Sequence, residues 1–272
     1  MSPDLPAIRL IALDLDGTLL TSGRRIHPAA KAAVREALDA GVHVCLASGR
    51  AVNTIFPIAD ALGLRGPIVS CNGAYVLGLD REVVHHRRLP QASRDAILQY
   101  GADHGLHANV YVGERVYFSS DGPWAEMYRA RTGVREEAIL AWGQLGSLEP
   151  TKVLLIDSPT ATQRHYKRLR AALPRGQASI TLSEAEYVEL LPPNTNKCEG
   201  LKAVANVLSV ERHEVAAVGD YLNDLEMIEW AGFSGAVANG ASAVKQAAEV
   251  IVASNDRGGA AEFIASVLGR HV

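Results

Sequence analysis

The stretch Ile-Arg-Leu-Ile-Ala-Leu-Asp-Leu-Asp-Gly-Thr, residues 8–18, sets the expectation for the whole fold. Its apolar, β-prone part runs from Ile8 to Leu13 and ends at Asp14. A short apolar run bounded by turn-forming residues is typical of a buried strand in a parallel sheet. Because open α/β sheets bind ligands at the carboxyl ends of their strands, we expect Asp14–Thr18 to lie at a ligand site.

Helices and strands alternate downstream of this first strand. Predicted helices run from Pro28 to Ala40 and from Val52 to Leu62, and Gly41 stands just beyond the end of the first. Predicted strands run from Val42 to Ala47 and from Ile68 to Ser70. This alternation predicts the α/β class, with a doubly wound parallel sheet.

The middle of the chain has a different pattern. Residues 83–188 combine predicted helices with strands that pair as hairpins, for example at Gly113-Glu114. Beyond them the α/β pattern resumes, with a strand from Val215 to Val218. We therefore predict a core domain of residues 1–82 and 189–272, and an α+β domain of residues 83–188 inserted into it.

Composition and charge restrict the class of protein. The 272 residues are 48% hydrophobic and 21% charged with a net charge of −3, which predicts a packed core and gives no indication of a nucleic-acid binder. No run reaches the ~18–20 apolar residues of a membrane span, and Met1–Pro6 lacks the pattern of a signal peptide. Cys45, Cys71 and Cys198 have neither the number nor the spacing of a disulfide framework or zinc site. We expect a cytoplasmic protein.

Four aspartates are candidates for a metal site. Asp14 and Asp16 follow the first strand, whereas Asp220 and Asp224 follow the strand that ends at Val218. If both strands are central in the sheet the carboxylates converge, and two of them about 4 Å apart repel by roughly 4 kcal/mol at an effective dielectric constant of about 20. Oxygen ligands without His or Cys favour Mg²⁺ as the compensating cation. Asp220 and Asp224 could instead be turn formers or helix caps.

Other polar residues are candidates for binding an anion at the same edge. Ser48-Gly49-Arg50 ends the second strand and opens a helix, where a hydroxyl and free N–H groups can bind phosphate; a simple helix cap is the alternative. Asn72 follows the third strand and is either a further donor or part of a turn. Lys197 precedes a later helix, and either neutralises an aspartate and a phosphate together or is a solvated side chain.

Together these segments resemble the four motifs of the haloacid dehalogenase superfamily of phosphatases. Asp14–Thr18 is similar to motif I, Ala47–Arg50 to motif II, Lys197 to motif III and Gly219–Asp224 to motif IV. The chain is most similar to the Cof-type subgroup with a C2 cap, subfamily IIB. The occurrence of all four motifs in order, with a long insert between the second and third, makes this resemblance specific.

Further positions match landmarks of the subgroup, and two depart from them. Cys71–Ala74, Asn239 and Ser254–Gly259 match. Cys198 stands where the family usually has glycine, and Val237–Gly240 stands where it often has Met-Gly-Asn-Ala. Neither departure removes a charged group that the chemistry needs.

The resemblance implies catalysis through an aspartyl-phosphate. Asp14 would attack phosphorus, and Asp16 would protonate the leaving oxygen and then activate water. The remaining implied roles belong to residues that hold Mg²⁺ or stabilise the phosphoryl group. The implied metal residues are Asp14, Asp16, Asp220 and Asp224; the implied catalytic residues are Asp14, Asp16, Ser48 and Lys197; the implied phosphate-binding residues are Ser48, Gly49, Arg50, Asn72, Lys197 and Asn223.

The resulting expectation is a Mg²⁺-dependent phosphatase of small phosphorylated metabolites, with sugar phosphates favoured over nucleotides, flavin mononucleotide and pyridoxal phosphate. A phosphotransferase or phosphomutase of the same superfamily, and a non-catalytic sugar-phosphate sensor, are the alternatives. The insert would be a cap that selects the leaving group. Its candidate contact residues, any of which could instead be core residues, are Arg87, Arg88, Tyr111, Tyr117, Trp124 and Tyr128. We expect a monomer or homodimer without nucleic-acid or membrane partners.

Overall fold

The computed structural model describes residues 8–174 and 176–269, so Met1–Pro6, to which the signal-peptide prediction refers, lie outside the described residues. Within these ranges there are fourteen strands and ten α-helices. The strands are β1 (Leu10–Asp14), β2 (His43–Ala47), β3 (Ile68–Ser70), β4 (Tyr75–Leu77), β5 (Val83–His86), β6 (His107–Val112), β7 (Arg115–Phe118), β8 (Ala138–Ile139), β9 (Lys152–Ile156), β10 (Ser179–Glu184), β11 (Tyr187–Leu191), β12 (Val215–Gly219), β13 (Phe233–Val237) and β14 (Val250–Val252). The helices are α1 (Pro28–Asp39), α2 (Val52–Leu62), α3 (Gln91–Asp103), α4 (Pro123–Thr132), α5 (Trp142–Leu145), α6 (Pro159–Ala172), α7 (Lys197–Leu208), α8 (Leu225–Trp230), α9 (Ser242–Ala247) and α10 (Gly259–Leu268).

Eight strands form one sheet in the order β14-β13-β12-β1-β2-β3-β4-β5. The pairs from β14 to β3 are parallel, which confirms the predicted α/β fold with a doubly wound parallel sheet. Strand β4 pairs antiparallel with β3 and was not predicted. It has only three residues, although the Asn72-Gly73 turn before it is a recognised signal for a reversal of the chain.

Six strands form a second sheet in the order β10-β11-β9-β6-β7-β8. Its pairs are antiparallel except β7–β8, and the predicted hairpin at Gly113-Glu114 joins β6 to β7. One face of this sheet packs against α3 and α6 through a buried apolar cluster that includes Ile97, Val110 and Leu169. Strand β8 and helix α5, with two and four residues, were too short to be predicted.

The chain divides into two compact units. The first contains the described residues up to Ser48, Phe56–His85 and those from Asn196 onward, and the second contains Gly49–Ile55 and His86–Thr195. Val83–His86, which the sequence assigned to the insert, is an edge strand of the eight-stranded sheet, because strand pairing and not composition decides where such a segment belongs. The boundaries at 82/83 and 188/189, and the role of the insert as a cap, stay predictions.

Helix α7 illustrates how the first unit is held together. Its residues Leu201, Val204 and Ala205 are buried in the cluster that covers one face of the eight-stranded sheet. Full burial of one leucine side chain contributes about 1.5–3 kcal/mol. The Asn196 side chain caps the helix by accepting a hydrogen bond of 2.9 Å from the Glu199 N–H. Packing and cap together fix the position of Lys197, the first residue of the helix.

Across residues 8–174 and 176–269, no helix combines the length and the apolar character that crossing a membrane requires.

Candidate active site

The candidate site lies at the carboxyl end of β1, where the order of the strands reverses. β2 and β3 continue the sheet on one side of β1, and β12, β13 and β14 continue it on the other. Open α/β sheets bind ligands at such a switch point. Asp14 is the last residue of β1, Asp220 directly follows β12, and Asp224 ends the short 3₁₀ turn that comes next.

Lys197 joins two of these aspartates. Its ammonium nitrogen Nζ lies 2.6 Å from Asp14 Oδ1 and 2.6 Å from Asp224 Oδ1, and all three side chains are buried. Burial lowers the pKa of Lys197, but the carboxylates of Asp14 and Asp224 outweigh that effect and hold its pKa above the ordinary value. Lys197 is therefore a charged, fully buried cation and not a solvated side chain.

The carboxylates outnumber this cation. Burial, and next the charge of Asp224, raise the pKa of Asp14 well above its ordinary value, although Lys197 opposes the shift. The same two causes, in the same order, raise the pKa of Asp220 to about 6. The site therefore carries an excess of negative charge that a further cation would relieve.

The donor atoms fit a small divalent cation. Asp14, Asp220 and Asp224 each offer a carboxylate oxygen, and these oxygens lie within 4.8 Å of one another. Asp14 Oδ2 is buried and has no hydrogen-bond partner among the described residues. Oxygen-only donors of this kind suit Mg²⁺. Asp224 Oδ2 accepts hydrogen bonds from the N–H groups of Asp220 and Tyr221, at 2.9 and 3.0 Å, which indicates a structural contribution from Asp224 as well.

The turn after β1 places Asp16 on the surface beside the buried aspartates. The Asp16 side chain is exposed, whereas Asp14 is only 3% exposed. Gly17 has φ +84°, and a Cβ at this position would lie 2.3 Å from Asp220 Oδ2. Thr18 Oγ1 donates a long hydrogen bond of 3.4 Å to Asp220 Oδ1. Glycine is therefore required where the turn passes Asp220.

Ser48, Asn72 and Asn223 are connected through the backbone and one side-chain hydrogen bond. The Asn72 N–H donates to the Ser48 carbonyl at 3.0 Å, and Asn223 Nδ2 donates to Asn72 Oδ1 at 3.1 Å. Asn72 lies in the left-handed region with φ 50°, and both Ser48 and Asn72 are buried. Three of the predicted phosphate-binding residues thus lie together.

Gly49 and Arg50, the other predicted phosphate-binding residues, belong to the second unit. There the Gly49 carbonyl accepts a hydrogen bond of 2.6 Å from Lys152 Nζ. Lys152 also pairs with Glu189 at 3.0 Å, and both side chains are buried. The roles of Gly49 and Arg50 stay predictions.

The sequence did not single out the buried polar residues of the second unit. Lys152 and Glu189 lie in strands that are otherwise apolar, β9 and β11, while β6 alternates His107, Asn109 and Tyr111 with small or aliphatic residues. This alternation was the available signal for a polar sheet face. Of the six candidate contact residues, Tyr111 and Tyr128 are buried and their hydroxyl groups are hydrogen-bonded to each other.

Cys45, Cys71 and Cys198 are buried and are not joined by disulfide bonds. Burial raises the pKa of Cys45 to about 12 and that of Cys198 to about 11. Such thiols stay protonated and are poor nucleophiles, so the cysteine that replaces the usual glycine after Lys197 adds no reactive group.

Comparisons with known proteins agree over nearly the whole chain. The family described as haloacid dehalogenase-like hydrolase matches residues 11–264. The 5-amino-6-(5-phospho-D-ribitylamino)uracil phosphatase YitU of Bacillus subtilis (strain 168) is 30% identical over 271 residues, covering 94% of this chain and 96% of that protein. The chloroplastic endoribonuclease YBEY of Arabidopsis thaliana is 28% identical over 95% of this chain, which spans only 46% of that relative's length. A solved haloacid dehalogenase-like hydrolase from Bacteroides thetaiotaomicron has a TM-score of 0.88 and 27% identity, covering 96% of this chain and 99% of the other.

Proposed function

Because the chain belongs to the haloacid dehalogenase-like hydrolases and is a Cof-type phosphatase, we propose that it hydrolyses phosphate monoesters of small metabolites through an aspartyl-phosphate at Asp14, with Mg²⁺ as cofactor. One observation carries this proposal: Asp14 has a buried Oδ2 atom without a hydrogen-bond partner among the described residues, while Lys197 holds its Oδ1 atom. A carboxylate fixed on one side and unpartnered on the other suits a nucleophile beside a cation.

In the first step an oxygen of the Asp14 carboxylate attacks phosphorus. A bond forms between Asp14 and phosphorus, and the bond from phosphorus to the ester oxygen breaks. The exposed carboxyl group of Asp16 gives its proton to that oxygen, so that the leaving group departs as an alcohol.

In the second step a water molecule attacks the phosphorus of the aspartyl-phosphate. Asp16, now a carboxylate, takes a proton from the water, and the bond between phosphorus and Asp14 breaks. Inorganic phosphate leaves, Asp14 is again a carboxylate, and Asp16 is again protonated. An acid at position 16 thus favours turnover by water over a long-lived phosphoenzyme.

Asp14, Asp220 and Asp224 would hold Mg²⁺ through side-chain oxygens, and Asp16 would contribute its backbone carbonyl. When bound, the ion would offset the negative charge of the aspartates and of the phosphate ester. Asn223 would support the same site through its bond to Asn72.

Charged and polar groups of the chain would stabilise the phosphoryl group during transfer. Lys197 stays protonated because Asp14 and Asp224 raise its pKa. Ser48, Gly49, Arg50 and Asn72 would donate hydrogen bonds to phosphoryl oxygens. Preorganised donors and cations of this kind are the main catalytic requirement of phosphoryl transfer.

We infer small phosphorylated metabolites, sugar phosphates first, as the substrate class. The named activity of the Bacillus relative supports this class, because its substrate carries a phosphorylated ribityl chain. The net charge of −3 argues against nucleic acid as a partner. A cytoplasmic location and a monomeric or homodimeric state belong to the same proposal.

Phosphate release from a panel of sugar, nucleotide and cofactor phosphates, measured with Mg²⁺ and with EDTA, tests the activity. Asp14→Asn should reduce release to below a few per cent of the wild-type rate, because the isosteric amide cannot attack phosphorus. Asp39→Asn is the matched control, since Asp39 is an exposed carboxylate that pairs with Arg35 at the end of α1. Mass spectrometry after acid quench should find the phosphoryl group on the peptide that contains Asp14.

Three results would count against the proposal: full activity in EDTA, substantial activity in Asp14→Asn, or release only when an activating bisphosphate is present. The last result would favour a phosphomutase. If folded protein that binds Mg²⁺ released no phosphate from any member of the panel, the sensor or mutase alternatives would be favoured.

A further inference from the structure

Two asparagines from different loops contact the turn that follows β1. Asn239, in the loop after β13, donates from Nδ2 to the Gly17 carbonyl at 2.8 Å. Its Oδ1 accepts from the Asn255 N–H at 2.9 Å, and Asn255 Nδ2 in turn donates to the Leu20 carbonyl at 2.9 Å. Both polar atoms of the Asn239 side chain are therefore bonded. We call Asn239 and Asn255 the asparagine bridge.

The asparagine bridge crosses the carboxyl end of β12, although neither asparagine belongs to that strand. In the sheet β12 lies between β13 and β1, so Asn239 reaches across the position of Asp220 to contact Gly17. The same loop holds Asp220 directly, because the Ala241 N–H donates to the Asp220 carbonyl at 2.7 Å. The loop after β13 thus connects the loops that carry Asp16 and Asp220.

The bridge completes the hydrogen bonding of the turn. Within the turn the Leu19 N–H donates to the Asp14 carbonyl at 3.2 Å and the Leu20 N–H donates to the Leu15 carbonyl at 2.8 Å. The peptide group after Gly17 is held at both ends: the Thr18 N–H donates a long hydrogen bond of 3.4 Å to the Leu15 carbonyl, and the Gly17 carbonyl accepts the shorter bond from Asn239. Asp16 precedes Gly17, and its side chain is exposed, so burial does not fix its position.

We propose that Asn239 and Asn255 are positioning residues, which orient the backbone of the turn so that Asp16 can transfer its proton to the leaving oxygen. This inference rests on the proposed role of Asp16. Neither asparagine touches the reacting atoms in this account; both act through the Gly17 and Leu20 carbonyls.

A misplaced acid affects some esters more than others. An alkyl phosphate expels an alkoxide that needs the proton, whereas p-nitrophenyl phosphate expels a stabilised phenolate that does not. General acid catalysis typically contributes 10²–10⁴-fold, and a small displacement of the acid forfeits part of it. Asp16 also activates the water that attacks the aspartyl-phosphate, and this later step is the same for both esters, so the informative constant is kcat/KM, which reports only the steps up to formation of the aspartyl-phosphate. We expect Asn239→Ala to reduce kcat/KM for glycerol phosphate by about tenfold or more, and to change kcat/KM for p-nitrophenyl phosphate by much less.

The test compares kcat and KM on both esters for Asn239→Ala, Asn255→Ala, the double variant and Asn206→Ala. Asn206 is an exposed asparagine on α7 and serves as the matched control. We expect the ratio of alkyl to aryl kcat/KM to fall in the first three variants and to stay at the wild-type value in the control. The double variant should be no worse than the poorer single variant, because both residues act through one chain of hydrogen bonds.

Amide hydrogen exchange in the metal-free protein provides a readout that does not depend on activity. The peptide covering residues 15–22 should exchange faster in Asn239→Ala than in the wild type, and Asn206→Ala should leave its rate unchanged. Unchanged exchange in this peptide, or an equal loss of kcat/KM on both esters, would overturn the proposal. If Asp14→Asn kept full activity, the proposed function would fail instead, and the exchange experiment would still test whether the bridge holds the turn.

Discussion

The Lys197 ammonium lies 2.6 Å from Asp14 Oδ1, although 183 positions separate the two residues in the sequence. A second contact of the same length joins Lys197 to Asp224. The lysine is 1% exposed, so these carboxylates, and not water, satisfy its charge. One buried cation therefore serves two functions: it holds the first-motif and fourth-motif loops together, and it offsets part of their mutual repulsion.

Replacing Lys197 by methionine should destabilise the protein and abolish turnover. The variant leaves Asp14 and Asp224 buried without their cation, and breaking a buried ion pair from one side costs about 3–5 kcal/mol. Urea denaturation in EDTA measures the loss. Lys202→Met is the control on the same helix: Lys202 is more exposed and pairs with Glu199, an arrangement worth at most about 1 kcal/mol. Adding Asp224→Asn to Lys197→Met should restore part of the stability. Equal losses in Lys197→Met and Lys202→Met would contradict this account.

Mg²⁺ should stabilise the wild-type protein and should not stabilise Asp220→Asn to the same extent. An ion that binds only the folded state adds about 2.7 kcal/mol at a concentration of a hundred times its Kd. The aspartates also repel one another less once a cation is bound. Thermal denaturation with increasing Mg²⁺, with binding followed by calorimetry, measures the effect. The Tm of Asp39→Asn should rise with Mg²⁺ as that of the wild type does. A wild-type Tm that does not change with Mg²⁺ would contradict the predicted metal site.

Gly17→Ala should lose more stability and activity than Gly41→Ala. Both glycines have φ near +80°, so both substitutions strain the backbone by about 1–2 kcal/mol. Only at Gly17 would the new Cβ meet another group, Asp220 Oδ2 at 2.3 Å, whereas nothing lies within 4 Å at Gly41. The difference between the two variants isolates the cost of the contact. Phosphate release and denaturation midpoints should both show it, and identical midpoints would indicate that Asp220 moves aside freely.

Much of the first unit could be predicted because its chemistry follows a rule of sheet geometry. Parallel strands present their carboxyl ends at one edge, so Asp14 and Asp220 were expected to converge once their strands were identified. The residues alone left Lys197 either as a cation beside an aspartate or as a solvated side chain, and only the family resemblance favoured the first, since no local pattern ties it to a residue 183 positions earlier. Asn239 and Asn255 matched family landmarks, but their contact with the turn depends on strand order, which a sequence alone does not give.

The second unit was less predictable for a physical reason. Period-two alternation indicates which residues share a face of a strand, but not which strands become neighbours. Lys152 and Glu189 form a buried pair across 37 positions because β9 lies beside β11, and each residue alone resembles an ordinary surface charge. The short elements β4, β8 and α5 were not predicted, and two to four residues carry little periodic signal, although β3, which is as short as β4, was predicted as a strand.

Stability should fall on acidification, in part because of His107. Both ring nitrogens of this buried residue are hydrogen-bonded, to Asn109 and to Ser120. Burial lowers its pKa, and the nearby charge of Arg129 adds to this, while the Asn109 hydrogen bond and Asp121 oppose it. Above a pH of about 6.5 the residue is neutral in both states; below it the unfolded chain takes up a proton that the folded protein does not, so stability is lost as pH falls.

Urea denaturation of the metal-free protein between about pH 7.5 and 5.5 tests this contribution of His107. The free energy of unfolding should decrease less with falling pH in His107→Gln than in the wild type, and the two slopes should differ by at most about 1.4 kcal/mol per pH unit. His213→Gln, at an exposed histidine, is the control. An unchanged slope in His107→Gln would mean that His107 titrates alike in both states, because a residue whose pKa is the same folded and unfolded contributes nothing to the pH dependence.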